Sequence, residues 1–361
     1  MSNPIKTAIV GFGAAGKFMH APFIVTQPQH YEVVAVLERN LEESKHLFPA
    51  AKIVRSIDEL LQLQEIELVI ITTPNETHLP YTKAALLAGK NVVLEKPFTI
   101  TSSDALELIA LSKQVNKTIS VFQNRRYVTD FLTIKEILHK NLLGDVHEYE
   151  AHYHRYRSEA KPNAWREENI PGSGILYDLG SHLIDQVLYL FGLPKTVTAD
   201  IKLQRPHART VDNFEVKLDY GFTKVILKSG MLVREPGPRY MIHGTKGSFI
   251  KYGEDPQEAF LRAGKLPTEI PNWGCENEEM FGLLHTEING NIIKEKYPTV
   301  KGDYGYYYQN IYKTLRENMP LRERPEHGYN TIRIVELAME SSDKKATVNC
   351  DGLLDTAYPV D

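Results

Sequence analysis

Two cysteines in 361 residues, Cys275 and Cys350, are too few for a disulfide framework and too far apart for a zinc-finger spacing. Their scarcity fits a reducing compartment. No apolar run approaches the roughly 20 residues that a bilayer-spanning helix requires. The opening "MSNPIKTAIVGFG" lacks the basic-then-apolar build of a secretory signal. Basic residues are not in excess either: 42 Lys and Arg face 46 Asp and Glu, a net charge of −4 that disfavours nucleic acid as a partner. Sequence repeats and low-complexity tracts are missing. These absences leave the expectation of a cytoplasmic globular protein with neither nucleic-acid nor membrane partners. A chain of this length is long for one core, so two domains are expected.

What is present is strand–helix alternation in the first third. "IKTAIV", "YEVVAVL", "ELVIITT", "NVVLEKP" and "TISVFQN" read as short apolar strands. Helical patterns separate them, among them "ETHLPYTKAALLAG", closed by Gly89. Another is "TSSDALELIALSKQ", where Thr101 is a candidate N-cap. Such alternation predicts an α/β, doubly wound parallel sheet covered on both faces, over residues 1–123. Over 124–361 the pattern changes. "GDVHEYEAHYHRYR" alternates with period two, as a half-buried antiparallel strand does. "KTVTADIKL", "VDNFEVKLDY", "TKVILKSGML" and "RYMIHGTKGSFIKY" follow as strands, the last with a turn at Gly244–Gly247. Tyr304–Glu317 and Tyr329–Ser341 read as closing helices. This predicts an α+β domain with a large, mostly antiparallel open sheet, its second face solvated or buried against a partner subunit.

Gly11, Gly13 and Gly16 form G-x-G-x-x-G between the first strand and a helix. Gly11 permits the tight turn, Gly13 lets backbone amides approach a pyrophosphate, and Gly16 allows close helix–sheet packing. Phe12, Ala14 and Ala15 complete the loop. The second strand ends at Glu38 about 20 residues on, which matches the dinucleotide-binding fingerprint. Glu38 is suited to accept hydrogen bonds from an adenosine ribose, favouring NAD, whereas the adjacent Arg39 suits the extra phosphate of NADP.

Ligands of an open parallel sheet gather beyond the carboxyl ends of its strands. "TTPNETH" contributes Thr72, Thr73, Pro74, Asn75 and His78 there, "EKP" contributes Glu95 and Lys96, and "QNRR" contributes Asn124, Arg125 and Arg126. A lysine ammonium at that place can hold a substrate hydroxyl and stabilise its alkoxide. In "YDLGSHLID", a regular helix would put Asp178, His182 and Asp185 on one face, with Leu179, Leu183, Ile184, Val187 and Leu188 opposite.

In their order and spacing, "GFGAAG", "TPNETH", "EKP" and "PGSGILYDLGSHLID" resemble the Gfo/Idh/MocA family of NAD(P)-dependent oxidoreductases. "QNRR", "FLTIK", "AWRE" and "HGTKGSFIKYG" extend the resemblance toward the subgroup that holds NADP-dependent scyllo-inositol dehydrogenases. The resemblance implies a Rossmann domain followed by a domain whose open sheet joins dimers or tetramers. It implies NAD or NADP as cofactor, and hydride exchange with a secondary alcohol of a sugar or cyclic polyol. By motif it makes Lys96, Asp178 and His182 the catalytic group and sets Trp165 and Arg166 near cofactor or substrate. NADP-using members of the subgroup often carry a small residue followed by Arg at the second strand end, and Glu38 departs from that pattern.

A metal site from His152, His154 and His182 is disfavoured by Arg155 and Arg157 in the same stretch. The polar strand face is read instead as lining the substrate cavity, with Tyr153 and His154 among its contacts. Alcohol oxidation removes a hydride from carbon and a proton from oxygen. His182 is suited to take that proton, with Asp178 orienting the imidazole or touching the hydroxyl, and Lys96 and Arg125 holding the substrate. Asp185 either buttresses His182 or caps nearby backbone. The competing class is a dinucleotide-binding sensor without catalysis, which would have no need of lysine, aspartate and histidine at catalytic spacing.

Overall fold

The structure, a computed structural model, describes residues 3–160 and 164–359. The outermost ends of the two expected domains, residues 1, 2, 360 and 361, lie outside the described residues.

Six parallel strands form the first sheet: β1 (Ile5–Val10), β2 (Tyr31–Leu37), β3 (Lys52–Val54), β4 (Leu68–Ile71), β5 (Asn91–Leu94) and β6 (Ile119–Val121). Their order is β3-β2-β1-β4-β5-β6, so chain direction across the sheet reverses between β1 and β4. That reversal opens a crevice at the strand ends, where the glycine turn lies. The strands are near-continuous Val, Ile, Leu and Ala because helices cover both faces. Thr101 caps its helix as expected, its side chain accepting from the Asp104 amide. Edge strand β3, three residues long, is too short to leave a periodic signal.

Nine strands form the second sheet: β7 (Val146–His152), β8 (Thr196–Lys202), β9 (Asn213–Asp219), β10 (Lys224–Gly230), β11 (Tyr240–Gly244), β12 (Gly247–Lys251), β13 (Gly282–Ile288), β14 (Asn291–Tyr297) and β15 (Val348–Asn349). The order is β14-β13-β12-β11-β7-β10-β9-β8-β15. Strand β7, expected to be purely antiparallel, is central and runs parallel to β10 while antiparallel to β11. Alternation reports only that one face is buried, not the direction of the neighbours. Tyr149 and Ala151 of β7, Val225 and Leu227 of β10 and Phe214 of β9 pack under helices Thr129–His139, Ser181–Phe191 and Pro325–Lys344. Opposite them, Glu150, His152 and Lys228 point to the open face. The chain also returns to the first sheet. Helix Gly305–Glu317 buries Tyr307, Tyr308 and Ile311 in one core with Ile9, Phe23 and Phe122.

Two helical entries are wound as π-helix, Ala15–His20 after the glycine turn and Leu176–Gly180 before helix Ser181–Phe191. Such turns often mark functional positions. In the second, Asp178 sits on wider-wound backbone while His182 and Asp185 follow in the regular helix. Asp178 and His182 line one cleft, and Asp185 does not. Leu183, Ile184, Val187 and Leu188 are core residues as expected, but Leu179 lines a cleft.

Candidate active site

A cleft of about 590 Å³ lies between the two sheets. Ala14, Ala15, Met19, Glu95 and Lys96 line it from the first sheet's side, and Asn124 and Arg125 from the junction. Trp165, Arg166, Asp178 and His182 face them from the other side.

The glycine turn is built for close approach. Gly11 has φ +90°, and its carbonyl accepts the Thr72 hydroxyl at 2.8 Å. A Cβ on Gly16 would lie 2.5 Å from the Gly11 carbonyl oxygen, so only glycine lets the π-wound helix start this close to the turn. A Cβ on Gly13 would meet no protein atom within 4 Å. Room for a ligand therefore exists at Gly13, beside a helix start whose amide groups suit a phosphate. These features fit a dinucleotide. Phe12 is buried below the turn, and Thr73 packs against Gly11.

Lys96, at the end of β5, reaches across the cleft. Its Nζ donates to the Asp178 Oδ1 at 2.9 Å and to the Asp178 backbone carbonyl at 2.7 Å. Arg166 Nε lies 3.4 Å from the same Oδ1. Burial alone would raise the Asp178 carboxyl, but Lys96 and Arg166 outweigh it and hold it at about 2. His182 is buried, and its ring makes no hydrogen bond among the described residues. Burial first, then the charges of Lys96, Arg125 and Arg239, push the imidazole well below its ordinary value. It is a neutral base at neutral pH. Arg125 donates to Tyr304 and pairs with Glu258, and burial notwithstanding, Arg125 and Arg262 keep the Glu258 carboxyl at about 2.

Other expected site residues lie elsewhere. The Glu38 carboxylate is buried and turned onto a short helix, where it accepts the amides of Glu43 at 2.9 Å and Ser44 at 3.0 Å and the Ser44 hydroxyl. It caps backbone rather than presenting a ribose acceptor, while Arg39 is exposed. Asn75 donates to the Gly172 carbonyl at 2.8 Å, tying the domains together. His78 is buried, with its ring nitrogens against the carbonyls of Pro97 and Thr73. Pro74 starts the short helical turn that holds them. His152 and His154 are on the open face of the second sheet, away from the cleft, where His152 pairs with Glu150 at 2.7 Å. Burial and the neighbouring His152 and Lys228 depress His154 to about 4. Odd-numbered residues of this strand point the other way, so Tyr153 faces inward, its ring 6.4 Å from that of His182. Among the described residues, no cluster of three or more His, Cys, Asp or Glu could hold a metal.

Asp185 neither buttresses His182 nor caps backbone. Its carboxylate takes Arg126 in a bidentate pair, Nε at 2.8 Å and Nη2 at 2.7 Å, with both groups almost fully buried. Arg126 is thereby structural. Glu258 and Arg262, 133 and 137 positions beyond Arg125, enter the cleft wall unforeseen, since no local pattern joins them to it.

Two family models match the chain. "Oxidoreductase family, NAD-binding Rossmann fold" covers residues 5–123, and "Oxidoreductase family, C-terminal alpha/beta domain" covers 135–350. Among curated relatives, the scyllo-inositol 2-dehydrogenase (NADP(+)) IolW of Bacillus subtilis is 43% identical over 346 residues, 96% of each chain. The D-glucoside 3-dehydrogenase of Escherichia coli is 27% identical over 203 residues, 55% of this chain and 58% of the relative. The solved structure of yvaA from Bacillus subtilis superposes with a TM-score of 0.93 at 42% identity, covering 97% of this chain and 99% of that one.

Proposed function

The chain belongs to the Gfo/Idh/MocA family of oxidoreductases, and from that premise we propose that it moves a hydride between a nicotinamide dinucleotide and a secondary alcohol or ketone of an inositol-like polyol or sugar. One observation carries the reading: Lys96, at the end of β5, pairs with Asp178 and lines one cleft with Asp178 and His182 of the helical segment on the other side, beside the glycine turn. The bound nicotinamide supplies the hydride acceptor or donor.

The chain supplies the rest. Lys96 holds the reacting hydroxyl and stabilises its deprotonated form. Asp178 holds the lysine ammonium in place, and Arg166 adds a second cation on the same carboxylate. His182, neutral and free of hydrogen bonds within the described chain, takes the hydroxyl proton in oxidation and returns it in reduction. Trp165 and Arg166 narrow the cleft above the site.

NADP is the proposed preference. Glu38 is occupied with backbone amides and Ser44, while Arg39 makes no hydrogen bond among the described residues and is exposed for a phosphate. The relative named above as NADP(+)-dependent supports the same choice. We also propose that the chain works in the cytoplasm, in keeping with two free cysteines, and that it assembles into dimers or tetramers through the open sheet. Across that face run Ile226, Met241, Ile250 and Leu283, an apolar row interrupted by Glu150.

The test is steady-state turnover on a panel of inositols, other cyclic polyols and sugars with NAD and with NADP. Reduction of NADP, in preference to NAD, by an inositol-type substrate is expected. A protein that binds the dinucleotide yet oxidises no member of the panel would instead be a sensor.

A further inference from the structure

We propose that Glu38 and Arg55 are positioning residues for the extra phosphate of NADP: together they lock the loop after β2 in the shape that presents Arg39. The inference rests on the reading that NADP is the preferred cofactor. It gives Glu38 the opposite effect from the one its place in the fingerprint suggests, where an acidic residue favours NAD.

Strand β2 ends at Leu37, whose carbonyl accepts the Gly11 amide at 3.1 Å, so the residues that follow lie beside the glycine turn. Residues 38–42 form a loop that leads into a short 3-10 helix, Glu43–His46. The side chain at that helix's own N-cap position, Glu42, makes no capping bond. Glu38 supplies the cap instead. Its Oε2 accepts the Glu43 amide at 2.9 Å, and its Oε1 accepts the Ser44 amide at 3.0 Å and the Ser44 hydroxyl. Glu38 and Ser44 are both buried.

Arg55 closes the loop from outside. It follows edge strand β3, which pairs in parallel with β2 and so carries the guanidinium to the loop. Its Nη1 donates to the carbonyls of Glu38 and Leu41, each at 2.8 Å, and its Nη2 donates to the Glu42 carboxylate at 2.6 Å. One side chain thereby joins the two ends of the loop. Lys17, on the π-wound turn, pairs with Glu43 at 2.8 Å and ties the short helix to that turn. Arg39, inside the closed loop, is exposed and makes no hydrogen bond among the described residues.

An arginine on a slack loop must lose chain freedom before it grips a phosphate, and that loss weakens binding. Here the loop is ordered when the chain folds, by the hydrogen bonds that Glu38 accepts and Arg55 donates. The Glu38 oxygens are taken up by these donors rather than offered to a ribose. The Arg55 nitrogens are likewise taken up by loop carbonyls and Glu42. Among the described residues of this loop, Arg39 is the cation left to meet a phosphate, and such a contact is charge-assisted and directional. Glu38 and Arg55 therefore act through Arg39.

The experiment measures dissociation constants of NADP and of NAD by calorimetry on the full chain. Wild type is compared with Glu38→Gln, Arg55→Ala, Arg39→Ala and the double variant Glu38→Gln/Arg39→Ala. Glutamine keeps the size of Glu38 but sets an NH2 group against one of the amides. In Glu38→Gln the constant for NADP should rise about tenfold, the scale of one lost charge-assisted contact, while that for NAD changes less than about twofold. Arg55→Ala, at a half-exposed side chain, should show the same split even if Glu38→Gln folds poorly. On the Arg39→Ala background, Glu38→Gln should add less than about twofold, because the residue it positions is gone. Tighter NADP binding in Glu38→Gln, no change, or equal weakening of both cofactors would overturn the proposal. So would a full tenfold loss on top of Arg39→Ala. A wild type that binds NAD more tightly than NADP would overturn the cofactor reading itself, which is a different result.

Discussion

Asp178 lies between two cations, and Glu258 does the same for Arg125 and Arg262 across the cleft. Single carboxylates shared in this way fix long side chains that would otherwise sweep the cavity. The glycines act by having no side chain at all, and two of them separate folding from binding. Gly16→Ala would push a Cβ into the Gly11 carbonyl, so it should cost about 1–3 kcal/mol in thermal or urea unfolding and also lose cofactor. Gly13→Ala meets no protein atom, so stability should hold within about 0.5 kcal/mol while cofactor affinity falls. Equal stability losses in both would show that the open side of the turn is not a ligand site. That Lys96, Asp178 and His182 share one cleft follows the expectation drawn from the order of their motifs along the chain. The role of Asp185 was not legible, because its partner Arg126 is 59 residues away and nothing local points to it. Glu38 stood at the expected place, but its orientation depends on amides five and six residues later.

At the level of elements, periodicity found the long strands and missed what does not repeat. Strands β3 and β15, of three and two residues, are too short. The hairpin β13–β14 carried a usable signal, since Asn289 and Gly290 at its turn both have positive φ, the pattern of a tight hairpin. The π-wound turns had none, because no residue type encodes the wider winding. The open face of the second sheet yields its own prediction. Ile250 sits between Met241 and Leu283 on that face, away from the helices. Ile250→Asp should convert a multi-chain species to single chains in analytical ultracentrifugation, with its secondary structure intact. Wild-type protein that sediments as one chain at micromolar concentration would refute the assembly.

For the whole molecule, the change from a parallel sheet to a mostly antiparallel one was legible from the change of pattern near residue 124. The return of helix Gly305–Glu317 to the first sheet was not, because an apolar tyrosine-rich face does not say which sheet it covers. That return brings Tyr308 to His20 and binds the far end of the chain to the glycine turn. Across the gap between the sheets, Lys96 on one side and His182 on the other are proposed to act on one hydroxyl as one unit. The most direct measurement is a double-mutant cycle on turnover, with cofactor affinity measured alongside. Lys96→Ala and His182→Ala should each lower kcat at least ~100-fold with dinucleotide binding retained, and the double variant should be less than ~10-fold worse than the poorer single one. Near-normal turnover in either single variant, or losses that multiply in the double, would contradict it.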